Sequence, residues 1–115
     1  MTDSHSLETL TAEDFRAHRG TRFRLTGGPS RDGSPASFAA ELTEVDERAA
    51  SAPGTSRTPF SVVFHGPLQP VFPQGNYRLE HEHFGGLELF VVPIGPNETP
   101  PGEKPTAMRY EVVFG

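Results

Sequence analysis

The chain has 115 residues, no cysteine and a net charge of −5 at pH 7. A single domain is the expectation at this length, and the missing cysteines exclude disulfides, zinc–thiolate sites and cysteine nucleophiles. Lys104 is the only lysine and no Lys/Arg-rich block occurs, which speaks against nucleic acid and anionic membrane surfaces as partners, since both need a basic stripe. Twelve Gly and twelve Pro indicate many turns and irregular connections rather than long helices.

In chain order, residues 1–6 are expected to be disordered and 7–115 to form one β-barrel-like domain. The start shows no secretory signal and no apolar run approaches a membrane span, so a cytoplasmic location is the expectation. The first element is a short helix over Ala12–Arg19. Thr11 can cap it with Asp14 three residues on, and Leu10 and Phe15 stand at the spacing of a hydrophobic staple. Arg16, His18 and Arg19 compensate the negative end of the helix dipole, and Gly20 suits the left-handed residue beyond it.

Thr21–Thr26 alternates Phe23 and Leu25 with Arg22 and Arg24, the period of a half-buried strand. Gly27–Pro35 is a turn-forming loop. The next strand carries Phe38, Ala40 and Leu42 on one face, and Val45 breaks the parity, which predicts a β-bulge near Thr43–Glu44. Arg48–Pro59 reads as a mobile loop. Pro59–His65 places Phe60, Val62 and Phe64 on one face and Ser61, Val63 and His65 on the other. Gln74–Pro93 reads as a long hairpin, with Tyr77, Leu79, His81 and His83 on one strand face, Phe84-Gly85-Gly86 as the turn, and Leu87, Leu89 and Val91 returning. Met108–Phe114 alternates again and is apolar enough to fill a position between two other strands. Six short strands without βαβ alternation predict an all-β fold, a small six-stranded antiparallel barrel or roll with one short N-terminal α-helix plugging an open end. A two-sheet sandwich is the alternative.

The chemically suggestive groups are few. His81 and His83, at i and i+2 on a strand, could share a metal ion with His65 as a third ligand; the simpler reading is a partly exposed pair on the barrel rim. Glu80, Glu82, Glu88 and Glu111, with Arg78 and Arg109, fit charges alternating over an exposed sheet better than an acid/base pair. No Gly-x-Ser-x-Gly elbow and no phosphate loop is present. No catalytic residue and no cofactor is therefore expected. Pro67, Pro70 and Pro73 recur every third residue, the period of polyproline II. That stiff segment carries Val71 and Phe72, which either fold onto the barrel end or anchor a partner.

Leu7–Phe15, Pro59–Pro67, Pro73–His81, Leu87–Gly95 and Met108–Phe114 together resemble a family of short bacterial all-β proteins of unknown function. The resemblance brings no catalytic residues. Its members are often encoded near phage-tail-collar-like fibre proteins, which implies a role in a tail- or fibre-like assembly. The leading expectation is a non-enzymatic structural or protein-interaction module. It would bind a fibre- or tail-like protein, or itself, through exposed sheet edges or through Pro67, Pro70, Val71, Phe72 and Pro73. The alternatives are a small-molecule or carbohydrate-binding barrel, whose mouth Tyr77, Phe72, His65 and His81 would line, and a metal-dependent enzyme using His65, His81 and His83.

Overall fold

The computed structural model describes residues 10–27, 36–47 and 59–114. The expected disorder of residues 1–6, most of the Gly27–Pro35 loop and the loop between Arg48 and Pro59 lie outside the described residues. Helix α1 (Ala12–Arg16) is followed by β1 (Arg22–Gly27), β2 (Ala36–Glu47), β3 (Phe60–Gly66), β4 (Gly75–His81), β5 (Gly85–Pro96) and β6 (Met108–Phe114). All pairings are antiparallel. The strands close in the order β1-β2-β3-β6-β5-β4, with β4 returning to β1, so the fold is an all-β closed barrel with one short helix. β6 sits between β3 and β5, the internal position its apolar pattern requires.

The alternation read from the sequence becomes the inside and outside of this barrel. Phe23 and Leu25 of β1, Tyr77 and Leu79 of β4, and Leu87, Leu89 and Val91 of β5 are buried, while Arg22, Arg24, Arg78, Glu80 and Glu88 between them are exposed. The expected bulge lies in β2, where the register against β3 shifts between Leu42 and Glu44. The Thr43 hydroxyl there donates to the Val63 carbonyl at 3.1 Å. The extra residue restores Val45 to the inner side opposite Val62, which removes the parity break. β3 departs from simple alternation. Ser61 and Val63 on its outer side are also buried, standing between Asp46 and Glu44 of β2 and Val113 and Glu111 of β6.

Two aromatic groups fill the barrel ends. At one, α1 inserts Phe15 against Phe84, Phe114 and Phe60 at ring-centroid distances of 4.8, 5.3 and 5.9 Å. At the other, Phe38 packs on Tyr110 and Tyr77 at 5.0 and 5.8 Å. The helix begins as expected, with the Thr11 N–H donating to Asp14 Oδ2 at 2.9 Å and with Leu10 and Phe15 fully buried. It ends at Arg16, earlier than the expected Arg19. The His18 and Arg19 N–H groups reach back only three residues, to Phe15 and Arg16, so the chain tightens into turns. Gly20, at φ +87°, then directs its N–H to the Leu42 carbonyl at 2.8 Å. The expectation of exposed sheet edges is corrected by closure: in a ring of six strands none is an edge strand.

This packing makes the helix plug a structural keystone. Phe15→Ala should lower unfolding stability by about 3–5 kcal/mol, as large-to-small core changes do. Val113→Ser, at a side chain 55 % exposed, should change it by no more than about 0.5 kcal/mol. Urea unfolding compares the two, and equal losses would show that the plug is not part of the cooperative core.

Candidate functional site

The hairpin that carries the histidines folds differently from its period-2 reading. β4 ends at His81, Glu82–Phe84 form the turn, and β5 begins at Gly85, which faces His81. Gly85 and Gly86 are thus the first residues of a strand rather than the turn itself. Gly85 supplies the left-handed conformation, φ +72°, that closes a three-residue hairpin loop. His83 consequently leaves the strand, and the face it was expected to share with His81 ends one residue after Glu80.

His81 holds the turn. Its Nδ1 accepts the His83 backbone N–H at 3.0 Å. A backbone N–H can only donate, so Nδ1 is unprotonated and the neutral ring carries its proton on Nε2. Nε2 lies 3.1 Å from Thr21 Oγ1, and that hydroxyl donates to the His18 carbonyl at 2.6 Å. A chain of bonds therefore runs from the β4–β5 turn, through one imidazole and one hydroxyl, to the residues that follow α1. The rings gather over the same place. His18 lies 5.0 Å from His81 and 4.3 Å from His83, and His81 stacks on Phe23 at 4.2 Å.

His18, read from sequence as dipole compensation alone, is the member that sequence reasoning missed. The strand parity that located His81 says nothing about a residue on another element more than sixty positions away, and the early end of the helix is what turns His18 toward the hairpin. His65 does not join the group. It is half-buried on the outer side of β3, between Glu41 and Arg109. Its neighbour Gly66 packs under the Phe38 and Tyr110 rings at the far end of the barrel. Among the described residues no group of three His, Asp or Glu side chains is arranged to hold a metal ion.

The three histidines border an open groove of about 1280 Å³ on the outer wall of the barrel, lined also by Arg22, Arg24, Arg78 and Glu80. Gly86 leaves the space that the Arg78 guanidinium occupies; a Cβ there would collide with it. Arg78 Nε pairs with Glu80 at 3.3 Å.

At the opposite end lies the proline-rich segment. The Phe72 ring stacks on Phe38 at 4.2 Å and its N–H donates to the Tyr110 hydroxyl at 2.9 Å. The Pro73 carbonyl accepts the Tyr77 hydroxyl at 2.6 Å. Phe72 folds onto the barrel end, whereas Val71 does not and is 50 % exposed. Pro67, Pro70 and Pro73 are exposed beside it. Tyr77 and Phe72, two residues named for a ligand-holding mouth, are packed into that mouth, while His81 lies at the other end.

Residues 10–114, all six strands and the helix, match the family described as a domain of unknown function (DUF6916). The chain belongs to this family. No protein of curated function matches the domain. No solved structure matches it either. No helix among its described residues is long and apolar enough to cross a membrane.

The histidine bonds set a pH dependence. Burial, reinforced by the neighbouring His18 and, more weakly, His83, lowers the His81 pKa below its ordinary value, against an opposing pull from Glu82. The unfolded chain therefore binds the proton more readily. The stabilisation is fully present above about pH 6.5 and is lost as pH falls through the folded-state pKa. The wild-type urea midpoint should drop on acidification through this window, and His81→Phe, which keeps the ring on Phe23 but cannot titrate, should flatten the drop. An equally steep decline in the variant would assign it to other groups.

Proposed function

We propose that this domain is a non-enzymatic interaction module, a bacterial accessory or assembly component that works in the cytoplasm on a tail- or fibre-like partner. The observation that carries this reading is the presentation of Val71. A half-exposed aliphatic side chain sits on a segment whose next two residues are pinned to the barrel by a ring stack and two hydrogen bonds. A side chain held in place before association loses little conformational freedom on binding, the condition that lets a small apolar contact contribute affinity. The tail- or fibre-like character of the partner rests on the family resemblance and its gene neighbourhood. The alternative of a ligand in the barrel mouth is less favoured, because Phe72, Phe38, Tyr77 and Tyr110 fill that mouth. A metal-dependent enzyme built on His65, His81 and His83 is less favoured because His65 stands apart from the other two.

The test is affinity capture from the native host with the wild-type domain, with Val71→Asp and with Val113→Ser as a control at another exposed apolar position. A partner retained by wild type and control should lose about tenfold or more in affinity for Val71→Asp, the cost of placing a charge in an apolar contact. Equal capture by all three proteins, or recovery of the domain alone, would count against the proposal.

A further inference from the structure

The groove beside the histidines concentrates cations in a chain that is acidic overall. Three of the ten Lys and Arg residues line it with two glutamates, Glu80 and Glu82, a local excess of positive charge against a net charge of −5 for the whole chain. Its cations are only partly satisfied. Arg78 is paired with Glu80, and Arg24 reaches the Ser37 hydroxyl at 3.1 Å. Arg22 has no hydrogen-bond or ion-pair partner for its guanidinium among the described residues. Yet Glu41 and Glu80 are the cross-strand neighbours of Arg22 and Arg24. The two outward arginines thus forgo ion pairs that the register offers.

Shape narrows the occupant. The lining runs from Ala39 on β2 across β1 and β4 to Gly86 on β5. That crosses three inter-strand gaps, about 14 Å, the reach of about four extended residues. Ala39 keeps the floor low at one end, and at the other the Arg78 guanidinium lies over Gly86. The groove is open along its length, whereas small-molecule sites enclose most of their ligand. A nucleic acid would need an uninterrupted basic stripe, and Glu80 and Glu82 interrupt this one. Isolated carboxylates on a peptide chain match guanidinium groups spaced between acids, because each can form a charge-assisted pair without bringing a continuous run of negative charge past Glu80 and Glu82.

We propose that this groove docks an extended segment of a partner protein bearing Asp or Glu side chains, met by Arg22 and Arg24. The site lies at the helix end of the barrel, away from Val71, and stands or falls independently of the contact proposed there.

The experiment uses the full chain and three fluorescent probes at low ionic strength: a short peptide alternating Glu and Ser, the same peptide with Gln for Glu, and a single-stranded oligonucleotide. Anisotropy should show the Glu peptide binding at least about tenfold tighter than the Gln peptide, with the preference shrinking as salt is added. Arg22→Gln with Arg24→Gln should abolish that preference. Ala39→Glu, which adds a carboxylate at an exposed groove position and leaves both arginines in place, should abolish it too. Val71→Asp should leave it intact. Circular dichroism verifies that each variant is folded. Equal binding of the two peptides, a preference that survives either groove substitution, or tighter binding of the oligonucleotide would each overturn the proposal.

Discussion

Four residue pairs between β1 and β4, from Arg24–Glu80 to Gly27–Tyr77, turn an open sheet into a ring. Without that seam β1 and β4 would be edge strands, and Leu25 and Leu79, opposite each other within it, would line an open margin. With it, every inward side chain faces others across a closed interior, and backbone groups that edge strands would present to other chains are paired inside the barrel. The seam also sets the outside. Arg24 and Glu80, Thr26 and Arg78 become neighbours on the outer wall, and the groove forms over them.

A closed barrel still has two ends, and each is sealed by an apolar ring held by polar groups. Phe15 enters one end from α1, and the chain leaving that helix is tied to the β4–β5 turn through Thr21 and His81. Phe72 covers the other, tied by the Tyr110 and Tyr77 hydroxyls. Burial raises the pKa of both tyrosines, so both stay protonated and these bonds do not change across the physiological range. The His81 bonds can. The two ends therefore share a construction but differ in their response to acid, and the responsive one adjoins the groove.

Much of the barrel was legible because its strands are amphipathic at period 2. Phe23 with Leu25, Tyr77 with Leu79, and Tyr110 with Val112 and Phe114 each declare an inner face, and Val45 declared the bulge. Closure was less legible, since no residue of β1 or β4 announces its partner; register arises from the whole set of inner faces fitting together. The hairpin loop is not legible in the sequence because a Gly pair is a strong turn signal, whereas here Gly85 closes a loop already bent by the His81–His83 bond and Gly86 makes room for Arg78. The histidine cluster was half legible. His81 and His83 are close in sequence, but His18 joins them only through tertiary packing, and His65, the nearest strand candidate by sequence, is carried away because β3 lies across the ring from β4.

The filled interior decides where chemistry can occur. Aromatic and aliphatic side chains occupy both ends and the space between them, so among the described residues the outer wall, rather than the interior, is open to contact. On that surface Val71 and the groove differ in kind. Val71 is a preorganised apolar point on a stiff segment, suited to shape and to slow release. The groove is a spaced set of guanidinium groups, suited to attracting and orienting a charged segment. Lying at opposite ends of one rigid barrel, they would engage separate stretches of partner, and the rigidity that the β1–β4 seam confers would hold the distance between those stretches constant. On the proposed reading, a barrel of this build would fix the spacing between the segments it binds.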